Sequence, residues 1–218
     1  MFDPPHIGHL SCAEQAASRF GLEKVFFVPA LIPPHKEEIH GSAEERYEMT
    51  QIATKGNPLF EVSRMELDRK GGKASYTIDT VLEFREKVGD DLHFILGADA
   101  FSEIHTWKSA DELLRKCNFI VISRPGWDAG EAASRDVAKL ASIGVHLEGK
   151  QIVYNKGVEE FSIPGSTYKV FFYSPFLLDI SSTRIREAIL KGDSVKDVVS
   201  PEVEQYITNK GIYMKAGK

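Results

Sequence analysis

Leu92-His93-Phe94-Ile95-Leu96-Gly97-Ala98-Asp99 and the later Phe119-Ile120-Val121-Ile122-Ser123-Arg124-Pro125-Gly126 decide the fold. Each is a short apolar run of the kind buried on both faces, and each stops in small or turn-forming residues. Between them, residues 109–116 carry a helical pattern. Strand, helix and strand in that order predict a parallel sheet with helices on both faces, which receives ligands at the carboxyl ends of its strands. Asp99 stands at such an end.

The alternation extends in both directions. Upstream, a helical pattern from Gly8 to Phe20 ends at Gly21, and Val25-Phe26-Phe27-Val28 is a strand stopped by Pro29. After the turn-rich Pro33-Pro34-His35-Lys36, residues 43–55 read as a helix, Phe60 to Met65 as a strand, and Ser75 to Val88 as a helix. Downstream, 127–168 is less regular, with a helix near 130–141 and a hairpin or loop around Val145 to Tyr154. Lys169 to Tyr173 makes a last strand, and helices at 181–191 and 200–209 follow. The expectation is an α/β doubly wound parallel sheet in one domain spanning 1–218, with 127–168 as an insertion-like region and 181–213 as a C-terminal helical part.

The 218 residues are 42% hydrophobic and 27% charged, enough for a full core, and the net charge of -5 gives no global basic field for nucleic acid. A local basic pocket for a small polyphosphate remains compatible with that balance. Cys12 and Cys117 are far apart in apolar surroundings and read as buried, reduced thiols, which suits a cytoplasm. No apolar run of about 18 residues occurs, and Asp3 with two prolines stands where a signal peptide would be basic and then apolar, so a soluble, untargeted chain with no membrane partner is expected.

Two short motifs carry chemistry. Asp3-Pro4-Pro5-His6-Ile7-Gly8-His9 puts His6 before a helix and His9 in its first turn, with Gly8 permitting close backbone approach. Imidazoles and orphan amide N–H groups then converge on one anion, a phosphate site. A surface pair, a cap or a metal pair fits the same spacing. Near the other end, Ile180-Ser181-Ser182-Thr183-Arg184-Ile185-Arg186 offers hydroxyls at a helix start and Arg186 one turn inside, suited to another part of the same polyphosphate. An ordinary Ser/Thr cap with solvated arginines is the alternative.

The pair of motifs resembles the HxGH nucleotidyltransferase superfamily. Pro33-Pro34-His35-Lys36, Ser75-Tyr76-Thr77, Leu96-Gly97-Ala98-Asp99-Ala100-Phe101, Trp107, Arg124-Pro125-Gly126, Tyr206-Ile207 and Gly211-Ile212-Tyr213 narrow it to a resemblance to bacterial nicotinate-nucleotide adenylyltransferases, nearly end to end. The resemblance implies a Rossmann-like fold and adenylyl transfer from ATP to nicotinate mononucleotide, with magnesium bridging phosphates and no nucleic-acid partner; a homo-oligomer is left open. It also implies roles. His6, His9, Lys36 and Arg186 would act on the reacting phosphates. Gly8, Gly97, Asp99, Arg124, Ser181, Ser182 and Thr183 would bind ATP, with Asp99 at ribose hydroxyls and the backbone around Ser123 and Arg124 at adenine. His35, Tyr76, Thr77 and Trp107 would receive the mononucleotide, Trp107 by stacking on the pyridine ring and Tyr76 and Thr77 near its carboxylate. No residue is reserved for a metal, whose ligands would be mostly ATP oxygens and water. For Asp99 a helix N-cap is the plainer reading, and Glu66, Asp68, Phe84 and Tyr173 read as charged surface and packing.

Members of the superfamily carry a short apolar strand and Gly-Gly-Ser/Thr-Phe before the Asp-Pro, where this sequence has Met1-Phe2. The expectation is roughly ten further upstream residues, one strand and its turn. Two other functions share part of the pattern: a related transferase acting on phosphopantetheine or a glycerol-phosphate type acceptor, and a module that binds ATP without turning it over. Pyrophosphate release and acceptor competition separate all three.

Overall fold

The computed structural model describes residues 2–34, 38–71, 74–123, 139–145, 148–153, 158–176 and 178–214. The chain forms two compact units, one of Met1–Ser75 with Leu178–Lys218 and one of Tyr76–Leu177.

In the first unit, α1 (Ile7–Phe20), β1 (Val25–Phe27), α2 (Ala43–Thr54) and β2 (Phe60–Val62) are joined by two C-terminal helices, α6 (Ser182–Lys191) and α7 (Pro201–Lys210). β1 and β2 pair in parallel, with Val25 opposite Phe60 and Phe27 opposite Val62. α2 opens with a box that its Ser42-Ala-Glu-Glu45 sequence encodes: Ser42 Oγ accepts from the Glu45 amide at 3.2 Å and Glu45 Oε2 accepts from the Ser42 amide at 2.8 Å. Ser200 caps α7 in the same sense, with Pro201 at the first helical position. Met49, Ile185, Val203 and Ile207, at most 3% exposed, form the core that holds α2, α6 and α7 together.

The second unit contains α3 (Thr77–Val88), β3 (His93–Gly97), α4 (Ala98–Ser102), a 3-10 turn (Ile104–Thr106), α5 (Ala110–Leu113), β4 (Asn118–Ile122), β5 (Glu148–Val153), β6 (Val158–Ser162) and β7 (Lys169–Tyr173). The strand order is β3-β4-β7-β6-β5. β3, β4 and β7 run parallel, Leu96 opposite Val121 and Val121 opposite Phe172. The buried aromatic rings of Phe101, Phe119, Phe161 and Phe172 meet edge-on or tilted on one face. Each such ring contributes about 2–3 kcal/mol of apolar burial.

The α/β reading with parallel pairing holds, and most element ends fall within a residue or two of expectation. Three points differ. The strands make two ladders, one in each unit. The region expected to be irregular contributes β5 and β6, which pair antiparallel with each other, and β6 pairs antiparallel with β7, so the larger sheet is mixed. Val158-Glu-Glu-Phe-Ser162 does not alternate apolar with polar, which is why its sequence carried no strand signal. Ser75 does not open α3: its hydroxyl accepts from the amides of Leu31 and Ile32, and the helix begins at Thr77. The expected helix near 130–141 is seen only at residues 139–141, since 124–138 lie outside the described residues.

Candidate active site

His6 stands at the N-cap of α1 in an extended conformation, so its side chain enters the helix start from outside. Its amide N–H donates to His9 Nδ1 at 3.3 Å, which fixes the neutral His9 ring as the tautomer with its proton on Nε2. The two imidazoles stack with centroids 3.7 Å apart and planes 25° from parallel. Phe2 packs edge-on against His9. Burial lowers His6 to about 4, and burial followed by the neighbouring His6 lowers His9 well below its ordinary value. At neutral pH the pair is therefore uncharged. His6 Nδ1 is buried with no hydrogen-bond partner among the described residues. Gly8 leaves room for the His6 ring: a Cβ there would stand 3.0 Å from His6 Nδ1 and 3.1 Å from Cε1, so the ring would have to shift.

The expected ring of free amides is smaller than the sequence implied. Ile7 N–H donates to Val198 C=O at 3.0 Å and His9 N–H to His6 C=O at 2.9 Å. Both are engaged within the protein, the Ile7 amide by the C-terminal segment and the His9 amide by its own first turn.

The second motif lies directly against the first. Ser182 Oγ donates to Pro4 C=O at 2.9 Å, and Arg186 Nη1 donates to Asp3 C=O at 2.8 Å. Ser181 is the N-cap of α6, its Oγ accepting from the Arg184 amide at 3.3 Å. Thr183 Oγ1 accepts from Arg186 Nη2 at 3.4 Å. An acceptor hydroxyl keeps its proton to donate, so Ser181 and Thr183 retain what a phosphate oxygen needs, whereas Ser182 has given its proton to the loop. The plain cap reading is right for Ser181, and it coexists with that capacity. Arg184 pairs with exposed Asp179 instead.

Four residues with no role in the sequence reading organise this loop. Asp3 is fully buried, and its carboxylate accepts from the amides of His40 and Gly41, each at 3.0 Å, and from the Tyr213 hydroxyl. Arg46, also fully buried, donates through Nε to Gly41 C=O at 3.1 Å and through Nη2 to Leu31 C=O at 3.3 Å, tying together the two ends of the 32–40 segment. Glu66 belongs here too. It is buried rather than surface, and close enough to Arg46 to act on its charge. The Asp3-Pro4 dipeptide and the terminal Gly211-Ile212-Tyr213 were visible in the sequence, but nothing in either predicts that they meet.

In the second unit, Tyr76 precedes α3 and Thr77 is its first residue, with no side-chain cap. Lys108 Nζ lies 3.1 and 3.2 Å from the Asp79 carboxylate oxygens and 4.5 Å from the Tyr76 ring centre. Trp107 is half-buried, edge-on to Phe94 with centroids 6.3 Å apart, so one part of the ring packs and another stays accessible. Gly97 ends β3 and is the N-cap of α4. Asp99 is exposed in that helix's first turn, which corrects the N-cap reading for it. Ser123 follows β4 and is buried, bonded to Tyr173 C=O and to the Ser174 hydroxyl. His35, Lys36 and Arg124 lie outside the described residues.

Among the described residues no group of three or more His, Cys, Asp or Glu side chains is placed to hold a metal ion. Cys12 and Cys117 are free thiols, pushed up by burial to about 11 and about 12. Cys117 is fully buried, whereas Cys12 is only partly so, short of the burial expected for it. No helix among the described residues is long and apolar enough to cross a membrane.

Residues 1–188 match the cytidylyltransferase-like family. The chain is 41% identical over 215 residues to a protein of Moorella thermoacetica named as a probable nicotinate-nucleotide adenylyltransferase, covering 97% of this chain and 88% of that one. It is 42% identical over 217 residues to a Thermoanaerobacter protein of the same name, covering 98% and 91%. In structure it is similar to the Plasmodium falciparum nicotinic acid mononucleotide adenylyltransferase complexed with NaAD, with a TM-score of 0.69 at 16% identity over 97% of this chain and 93% of that one. The same Plasmodium enzyme complexed with APC gives 0.64 at 17%, over 97% and 92%. At that identity the structural likeness speaks for the fold. With the sequence relatives matched along nearly their whole length, the chain belongs to the nicotinate-nucleotide adenylyltransferase family of cytidylyltransferase-like proteins.

Proposed function

We propose that this chain transfers the adenylyl group of ATP to nicotinate mononucleotide, giving nicotinate adenine dinucleotide and pyrophosphate. The observation that carries the reading is the direct bonding of the two phosphate motifs, Arg186 to the Asp3 carbonyl and Ser182 to the Pro4 carbonyl, beside the stacked His6 and His9.

In this reaction a phosphate oxygen of the mononucleotide attacks the α-phosphorus of ATP, and the bond from that phosphorus to the bridging oxygen of the β-phosphate breaks. Pyrophosphate leaves with the electron pair. The nucleophile is already an anion, so the protein has to align the groups and stabilise charge, with no covalent intermediate on a side chain. His6 and His9 would donate N–H bonds to oxygens around the α-phosphate, where charge accumulates. Neutral donors in a buried loop suit this role, and an arriving phosphate favours their protonated forms. Arg186, with the hydroxyls of Ser181 and Thr183, would hold the β and γ phosphates, and Lys36 would add positive charge. Ser182 would act by fixing the loop. Gly97 and Asp99 would meet the ribose, and Arg124 the adenine side. His35, Tyr76, Thr77 and Trp107 would receive the mononucleotide, Trp107 through its accessible ring. Magnesium would enter with ATP as substrate and add positive charge at its phosphates. Both substrates are soluble small molecules, and we place the reaction in the cytoplasm, with residues 1–218 acting as one catalytic domain.

The test is pyrophosphate release with magnesium, ATP and nicotinate mononucleotide, run beside nicotinamide mononucleotide and phosphopantetheine. Release with the nicotinate acceptor in clear preference is expected. Preference for another acceptor overturns the substrate, and ATP binding without release under any acceptor overturns the reaction.

A further inference from the structure

Tyr213 has no part in the chemistry above, yet its hydroxyl lies 2.6 Å from Asp3 Oδ1. It reaches that position from a backbone φ of 64°, in the left-handed region that residues with a side chain seldom adopt. Asp3 is fully buried, and its carboxylate also takes the amides of His40 and Gly41. The fit is close: a Cβ on Gly41 would stand 3.0 Å from Asp3 Oδ1 and 3.3 Å from the Tyr213 oxygen. The carbonyl of the same Asp3 receives Arg186, and the next carbonyl receives Ser182.

We propose that Tyr213 is a positioning residue for the triphosphate: by holding the Asp3 side chain it sets where the Asp3 carbonyl, and with it Arg186 and the turn into His6, stand. The inference rests on the reading given under Proposed function. A buried carboxylate needs its donors, and losing one leaves an uncompensated acceptor. Without the phenol, Asp3 Oδ1 keeps, among the described residues, the Gly41 amide alone. Arg46 already acts on Asp3 through its charge, and Arg186 is bonded to the Asp3 backbone, so the carboxylate has cations to turn toward. Any such turn moves the peptide that leads into His6. Burial and the adjacent Asp3 raise the Tyr213 phenol above its ordinary value, so it remains a donor at working pH.

The experiment is Tyr213→Phe in the full chain, with magnesium–ATP affinity measured by calorimetry and kcat and KM measured for both substrates. Ile207→Val, in the same C-terminal core but without a bond to Asp3, serves as a stability control. The expected result for Tyr213→Phe is ATP affinity weakened about tenfold and kcat lowered, with KM for nicotinate mononucleotide unchanged. Ile207→Val lowers the unfolding midpoint and leaves ATP affinity alone. Should Tyr213→Phe fail to fold, Asp3→Asn replaces it, since it keeps an acceptor for Tyr213 but sets an NH2 against a backbone N–H; the same loss confined to the ATP side is expected. Wild-type ATP affinity in the variant, or an equal loss in Ile207→Val, overturns the proposal alone. A wild-type chain that neither binds ATP nor releases pyrophosphate overturns the proposed function, and this inference falls with it.

Discussion

Arg186 Nη1 donates to the carbonyl of Asp3 at 2.8 Å, so a guanidinium on α6 is bonded to backbone three residues before His6. The same side chain is thus both a candidate phosphate ligand and a brace for the loop. Arg186→Ala is expected to lower kcat/KM for ATP by about 100-fold or more. Arg186→Lys restores charge without the fork that reaches Asp3 and Thr183 together, and is expected to recover only part of the loss. Steady-state kinetics with both variants checks this; equal activity of Lys and Arg would show that charge alone matters.

The histidine pair makes stability depend on pH. Folded His6 stays neutral down to about 4, whereas the unfolded chain protonates near 6.5. Between those values the unfolded state binds more protons, so stability falls as pH drops from 6.5 to 4 and is fully present above 6.5. His9 is depressed as well and adds to the same trend. His6 contributes up to about 3 kcal/mol. Urea midpoints at pH 7.5, 5.5 and 4.5 measure it, and His6→Asn should flatten the profile. ATP, by favouring the protonated rings, is expected to bind with net proton uptake, readable by calorimetry in buffers of different ionisation enthalpy.

Gly8→Ala separates stability from activity. Within α1 alanine is the better helix former by about 0.5–1 kcal/mol, so the unfolding midpoint should hold or rise. The new Cβ would nevertheless stand 3.0 Å from His6 Nδ1 and must displace that ring. A loss of about tenfold or more in kcat without loss of stability is expected. Unchanged kcat would mean that the His6 ring is not held in a working position.

Trp107 should report on the acceptor only. Trp107→Ala is expected to raise KM for nicotinate mononucleotide about tenfold while leaving KM for ATP unchanged. Because the ring also packs against Phe94, Trp107→Phe is the cleaner variant, with a smaller rise. A change in the ATP parameters alone would remove Trp107 from the acceptor side.

The parallel strands β3, β4 and β7 were legible because each is a run of apolar residues ended by turn formers, and His6 and Arg186 because their motifs combine spacing with residue type. β5 was legible only as part of a hairpin or loop around Val145 to Tyr154 and β6 not at all, since Glu148-Gly-Lys-Gln-Ile-Val153 and Val158-Glu-Glu-Phe-Ser162 mix charge and apolar residues without a period. The Asp3, Gly41, Arg46 and Tyr213 cluster was also hidden. Its members are ordinary residues that acquire meaning only from contact, and no local pattern encodes a hydrogen bond across 210 positions. A buried arginine is the sharpest instance: Ala43–Thr54 reads as a helix but nothing in it singles out Arg46, which lies one turn from Met49 and is held inside by the carbonyls of Leu31 and Gly41.

The long reach of the Asp3 contacts has a consequence for biosynthesis. Asp3 meets Arg186 across 183 positions and Tyr213 across 210. Contacts so distant in sequence close late, after local structure has formed. A ribosome-bound chain that stops short of Tyr213 therefore has its histidines but not the frame around them, and the loop leading into His6 matures only when translation has passed α7.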